Sequence, residues 1–378
     1  MVKFRPTAAL SGLILAVAMP AGAFAYPAAT RPAPAPPPVK LSRAVMRVAV
    51  IRHYGLPGNA SGYSVIIAAG RGQAWAFGGT DPGGPSAPVA ARWNGSTLTP
   101  SPLPAGLTGF ISDASAPAPT NVWAAGQYGR YVLHWTGRRW LVAGVWRHGQ
   151  ITGMTAISAT DVWVFGTTIS GSRVLGSWHF DGSTWSQVHG PGRSIYRASA
   201  ASRRDIWAIG ASPQGDLILR YDGRSWRPVP TGRTLAGVEP RDILAISRHD
   251  VWVTGNQVGP GGSTRLVLAH WNGIRWSRLV SGLDAWAGRL APGPQGDVLL
   301  TATPADAAAT GLILRASSQG WGPTIVVQSS LGSGVSDVAL APGTWSLWAT
   351  GGILTRLGGD AAIWSGPIAR ADSDADHL

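Results

Sequence analysis

Two facing carboxylates are the usual minimum for glycoside hydrolysis, and paired titratable groups serve most proton transfers. The chain has 18 acidic residues, of which Glu239 is the single glutamate. Asp161, Asp181, Asp205, Asp222, Asp250 and Asp297 occupy recurring turn positions. Asp372, Asp374 and Asp376 fall in a polar C-terminal stretch. The remainder (Asp81, Asp113, Asp216, Glu239, Asp242, Asp284, Asp306, Asp337 and Asp360) shows no local motif that joins a pair. Cysteine is absent, which removes thiolate nucleophiles, disulfides and Cys-based zinc sites. His134, His179 and His270 recur at one place in a repeated phrase, where other copies carry Arg92, Arg315 or Arg356 nearby. Exchange of His with Arg suits a flat donor stacked on an aromatic ring or bonded to backbone, so no metal site is expected there. His53, His148, His189, His249 and His377 have no ligand spacing. A phosphate-cradling Gly loop and a Gly-x-Ser-x-Gly elbow are both missing. The residues point to binding rather than catalysis, with no cofactor and no metal.

Formal charge is +13, from 31 basic residues that are nearly all Arg. The arginines are spread along the chain without a cluster of the kind that marks nucleic-acid binding, so no nucleic-acid partner is expected.

The elements that would hold such residues come from a repeat. Asp161-Val162-Trp163 followed by His179-Phe180-Asp181-Gly182-Ser183-Thr184-Trp185 returns as Asp205-Ile206-Trp207 with Tyr221-Asp222-Gly223-Arg224-Ser225-Trp226. It returns again as Asp250-Val251-Trp252 with Trp271-Asn272-Gly273-Ile274-Arg275-Trp276. Aligned on Trp75, Trp123, Trp163, Trp207, Trp252, Leu299 and Trp348, the copies are 48, 40, 44, 45, 47 and 49 residues apart. A period near that length, parsed as four short strands per copy, predicts propeller blades. The fold expected is all-β: a single seven-bladed β-propeller of four-stranded antiparallel blades. Asn94-Gly95, Asp181-Gly182, Asp222-Gly223 and Asn272-Gly273 predict two-residue type I′ hairpins with positive φ at both positions. The Asp or Asn before the first Trp is expected to fix the tighter turn through its own backbone. Ala68, Ala116, Ala156, Ala200, Ala245 and Ala341 predict a small-residue ring on the innermost strands. Fifteen of the 19 Trp fall on repeat positions and are expected to pack.

The phrase resembles the Trp-rich β-propeller repeats of secreted actinobacterial proteins and, less closely, tectonin-like and kelch-like propellers. The resemblance implies a fold more than an activity, because propellers host many functions. Without cysteine the chain departs from the kelch galactose-oxidase pattern. Its turns also lack the spacing of sialidase repeats.

In propellers the loops between second and third strands and those between blades share one face, around the channel mouth. Trp146, Trp178, Trp286 and Trp345 stand outside the repeat pattern. Trp146 and Trp286 fall in inter-blade loops. With Tyr196, Arg241, His148 and Arg193 they form the candidate ligand patch. Arg197, Asp242 and Arg289 alternate in sign at one position of successive copies, which predicts inter-blade ion pairs.

Residues 1–25 read as a secretory signal peptide: Lys3 and Arg5, an apolar run from Ala8 to Met19, then Ala23-Phe24-Ala25. Residues 26–40 form a Pro-rich spacer, 41–61 supply an extra strand expected on the last blade, 62–368 the propeller, and 369–378 a disordered tail. The expected protein is secreted or cell-wall associated, a monomer without stable membrane insertion after signal cleavage. It would be a binding or scaffold module for a protein or cell-wall glycan. The alternative is an extracellular carbohydrate-active enzyme, hydrolase or lyase, with its site at the channel mouth.

Overall fold

The computed structural model describes residues 43–45, 62–80, 86–93, 97–128, 130–167, 174–189, 194–213, 215–259, 262–305, 311–327, 333–355 and 358–368. The expected signal, spacer and tail lie outside the described residues, as do Arg193, Arg356 and the Asn94-Gly95 turn. All of the described residues belong to one compact unit, Pro38–Leu378.

The first repeat forms a four-stranded antiparallel sheet in chain order, from Gly62–Gly70 through Gln73–Thr80 and Ala87–Trp93 to Leu98–Pro100. The second, third and fourth repeats do the same, starting from the inner strands Ile111–Ala118, Gln150–Ser158 and Ser194–Ser202. The fifth repeat starts at Glu239–Ser247. Its sheet runs on into the sixth because Trp276–Pro292 is one 17-residue strand, last in the fifth repeat and first in the sixth. The seventh repeat contributes three strands, Ser333–Leu340, Ser346–Thr355 and Gly358–Pro367. The expected extra strand is represented by Arg43–Val45, which runs parallel to Thr324–Val327 in the sixth repeat rather than joining the last. An outer strand with unpaired N–H and C=O groups is a natural place for such an addition.

Each inner strand packs on the next around the molecule, and Ser333–Leu340 packs on Gly62–Gly70, so the inner strands close on themselves. The closure is stitched by short polar side chains. Asp113 accepts from the Met154 N–H (2.9 Å), Ser199 from Ala245 (3.0 Å), and Asp242 from Leu290 (2.7 Å). Asp337 accepts from Ile66, 271 residues away in sequence. Every inner strand also breaks register, between Tyr63 and Val65, Ile111 and Asp113, Ile151 and Gly153, Ile195 and Arg197, Pro240 and Asp242, Ala287 and Leu290, and Val335 and Asp337. A bulge of this kind removes a residue from ladder pairing and redirects its neighbours.

Tryptophan fills the gaps between sheets. Trp75, Trp123, Trp163, Trp207 and Trp252 are no more than 2% exposed. The second-strand ring of one sheet inserts among the third- and fourth-strand rings of the next: Trp75 lies 5.1 Å from both Trp135 and Trp140, and Trp207 about 6 Å from Trp271 and Trp276. Each insertion buries a large apolar area and adds a tilted or edge-on aromatic contact. The alanines expected on the innermost strands are there, Ala341 lying just past its strand, and Ala68 and Ala116 line the central cavity.

Two local expectations are corrected. The hairpins are four-residue connections rather than type I′ pairs: Phe180 faces Trp185 across Asp181–Thr184, and Gly182 has φ of 100° while Asp181 stays at negative φ. The Asp181 carboxylate, accepting from the Ser183 and Thr184 N–H groups, builds the turn. Asp222 and Asn272 repeat this arrangement. The tighter turns are closed instead by Ser158, Ser202 and Ser247, each accepting from the N–H two residues on.

That leaves the Asp before each first Trp for another task. Asp161 Oδ1 accepts from Trp163 Nε1 (3.2 Å) and meets His179 Nε2 (2.9 Å), while His179 stacks on the Trp163 ring. Asn121 with Trp123 and His134, and Asp250 with Trp252 and His270, repeat the triplet. Where the partner is Arg, its guanidinium lies over the ring: Arg92 over Trp75 and Arg220 over Trp207. The sixth copy has Leu299 in place of Trp, and Arg315 lies over Trp345, from the seventh repeat, instead. The three His therefore belong to three separate stacks. Among the described residues no group of three or more His, Asp or Glu is placed to hold a metal ion.

Candidate ligand site at the channel mouth

The register breaks leave Ser64, Ser112, Thr152, Tyr196, Arg241 and Ser336 out of the ladder, with Gly288 and Arg289 both skipped in the sixth repeat. Ser112, Thr152, Tyr196 and Arg241 line one cavity, and Ser64 and Ser336 line another. The set is lopsided, with small hydroxyls at most positions and Tyr196 and Arg241 at two. Trp286, two residues before Gly288, adds an indole that is 45% exposed. The Arg241 guanidinium lies 5.9 Å from the centre of that indole and pairs with Glu239 at 3.1 Å. A cavity of about 500 Å³ opens beside them, lined by Ser112, Gln127, Thr152, Tyr196, Arg197, Asp216, Glu239, Pro240 and Arg241. It is large enough for a disaccharide-sized or short peptide ligand.

The six candidates from sequence divide accordingly. Tyr196 and Arg241 line one cavity and Arg241 covers Trp286. Trp146 is corrected to a packing residue, 9% exposed and edge-on to Trp178 and Trp185, because its ring fills the gap beside the outer strand of the third sheet. His148 is exposed on the connection from the second sheet to the third and does not line the cavity. Arg193 lies outside the described residues.

Asp216 and Glu239 were not picked out as a pair, since 23 residues and a sheet boundary separate them in sequence. They share the cavity because Asp216 is the second residue of the third strand in the fourth repeat and Glu239 starts the inner strand of the fifth. Burial raises the Asp216 pKa, and the nearby Glu239 charge adds to that while Arg241 opposes it.

Beneath the mouth lies a second layer of charge. Arg197, Asp242 and Arg289 form the expected inter-strand pairs, with Asp242 at 3.9 Å from Arg197 and 3.7 Å from Arg289. Arg289 also crosses the channel to the Asp113 carboxylate (3.3 Å) and the Ser112 carbonyl (3.0 Å), on an inner strand that is not its neighbour. Asp337 completes the set. Burial raises its carboxyl to about 6 despite the Arg289 charge and two backbone N–H donors. Burial likewise raises Asp242 against the pull of both arginines. The layer floors the mouth cavity and roofs a lower, mostly apolar cavity of about 410 Å³.

No protein-family model matches this sequence, and no curated protein matches it at sequence level. Solved structures do match by shape. YCF48 with a D1 peptide bound superposes with a TM-score of 0.58 at 14% identity, over 87% of this chain and 100% of that one. Virginiamycin B lyase from Staphylococcus aureus gives 0.56 at 13% identity, over 83% and 99%. The GH74 xyloglucanase from Xanthomonas campestris gives 0.54 at 18% identity, over 80% of this chain and 53% of that one. The fold is a β-propeller. At these identities the likeness carries the fold alone, and the neighbours include both a peptide binder and enzymes.

Proposed function

We propose that the chain is an exported, monomeric seven-bladed β-propeller that binds a protein or glycan ligand of the cell envelope at its channel mouth. The observation that carries this reading is the cavity edged by Tyr196 and Arg241, with the exposed Trp286 beneath the Arg241 guanidinium. An exposed indole pinned by a cation presents a flat apolar face beside donors and acceptors, the combination that sugars and peptide side chains both use. The deeper charges support the same reading. Asp113, Asp242 and Asp337 each accept a backbone N–H from the next sheet, so they serve as stitches. The seven-blade count is supported by the closed series of inner strands, with the long strand Trp276–Pro292 serving two blades. Export is supported by the signal-like sequence of residues 1–25.

A second reading has one observation in its favour. Asp216 and Glu239 are carboxylates in one cavity, with Asp216 held toward its protonated form, which is the pairing a carbohydrate-active enzyme needs. Glu239 is already engaged by Arg241 at 3.1 Å, so binding remains the leading reading.

A glycan, cell-wall-polymer and peptide array, scored for binding and for product release, tests both. Retention without product, by wild type and by Asp216→Asn alike, is the expected result. Product release abolished by Asp216→Asn would establish the enzyme instead. A protein that binds nothing on the array would remove the mouth as a ligand site for these classes.

A further inference from the structure

The face opposite the mouth collects charge that the linear sequence disperses. Strands alternate in direction within each sheet, so first-to-second-strand turns and third-to-fourth-strand hairpins come out at the same end. The contacts agree. Gly137 lies on Thr120, Gly182 on Thr160, Gly223 on Arg204 and Gly273 on His249, each a hairpin glycine against the tight turn of its own repeat. Gly343 lies beside Arg71 and Gly70 beside Pro119, joining turns of neighbouring repeats.

Arginine occupies the tips. Arg71, Arg204 and Arg248 sit in tight turns, while Arg138, Arg139, Arg224 and Arg275 sit in hairpins, and all are exposed. Among the described residues none of them is in an ion pair. Arg203 and Arg227 add to the face but are paired with Asp161 and Asp222. The exposed acids there are Asp181 and Asp222, both occupied with backbone N–H groups of their own turns. Ile274, on the same hairpin as Arg275, is 85% exposed, the most exposed large apolar side chain among the described residues.

We infer that this face docks peripherally on an anionic lipid surface, with arginines of the fourth and fifth repeats on the headgroups and Ile274 entering the interface. Basic residues within a Debye length of anionic headgroups are each attracted to them, and a protruding apolar tip adds insertion. A single-stranded nucleic acid would need exposed rings for its bases, and the exposed aromatic residues Tyr128, Tyr196 and Trp286 come from elements at the mouth end.

Vesicle co-sedimentation tests the inference, using the chain from Tyr26 onward, which contains the whole compact unit. Vesicles of phosphatidylcholine with about one-third phosphatidylglycerol should bind it at least about tenfold more tightly than pure phosphatidylcholine, with the difference lost in high salt. The combined variant Arg204→Ser, Arg224→Ser, Arg248→Ser and Arg275→Ser should lose that difference while keeping its unfolding temperature. Ile274→Ser should weaken binding at unchanged salt dependence, and Trp286→Ala should leave it unaltered, which separates this face from the mouth. Equal binding to both vesicle types, or undiminished binding by the folded four-site variant, would overturn the inference. Tighter binding to duplex or single-stranded nucleic acid than to the anionic vesicles would overturn it as well.

Discussion

The Asp–Trp–His triplet shows how one residue can serve several partners at once. Asp161 is 3% exposed and holds Trp163, His179 and Arg203 together. Its replacement by Ala leaves the buried indole N–H without an acceptor and frees the stacked imidazole. Asp161→Ala is expected to cost about 2–3 kcal/mol in urea unfolding, the usual cost of stranding buried polar groups. Asp337 gives a prediction in pH. Its folded pKa of about 6 lies above the ordinary carboxyl value of 3.8, so between those values the folded chain holds a proton that the unfolded chain has released. Stability from this group is therefore full below about pH 4 and lost as pH rises through about 6. The free energy of unfolding of wild type relative to Asp337→Asn should fall by a few kcal/mol across that window. A flat difference would mean that the Asp337 carboxyl is hydrated rather than buried among the inner strands.

Among the elements, the strands and their order were legible because hydrophobic period, turn residues and Trp spacing all repeat. The packing role of the fifteen repeat tryptophans was legible for the same reason. The inner-strand bulges were not, since a register break leaves no mark in a small-residue strand such as Ser194–Ser202. The hairpins were misjudged because Asp-Gly suits a type I′ turn and a four-residue turn equally, and only the side-chain bonds of Asp181 separate them. Arg220 was overlooked as a copy of the His position, although Trp207 and Asp205 flag it by spacing. The inter-sheet role of Trp makes a direct prediction. Trp207→Ala empties a fully buried interface and should cost about 3–5 kcal/mol in chemical denaturation, whereas Trp286→Ala should cost under about 1 kcal/mol. Similar losses at both positions would place Trp286 in the fold rather than at a site.

For the molecule as a whole, ring closure is what brings distant residues to one place. Arg289 meets Asp113 across 176 residues, and Asp216 and Glu239 line one cavity from two sheets, so no local motif could have announced either. Trp286 drew notice because it breaks an otherwise regular pattern, and it does lie against Arg241, but Trp146 breaks the pattern too and only fills a gap. The same closure sorts the charges, giving a mixed mouth and an arginine-bearing opposite face from a sequence in which the arginines look scattered. The most direct test of the mouth as the ligand site is the dissociation constant of the best array ligand, measured by titration calorimetry for wild type, Trp286→Ala and Arg241→Ala. Binding weakened at least about tenfold in both variants, with unfolding temperature unchanged, is the result predicted for an exposed aromatic–cation pair that a ligand covers. Equal affinity in all three proteins would contradict the account and move the ligand away from the mouth.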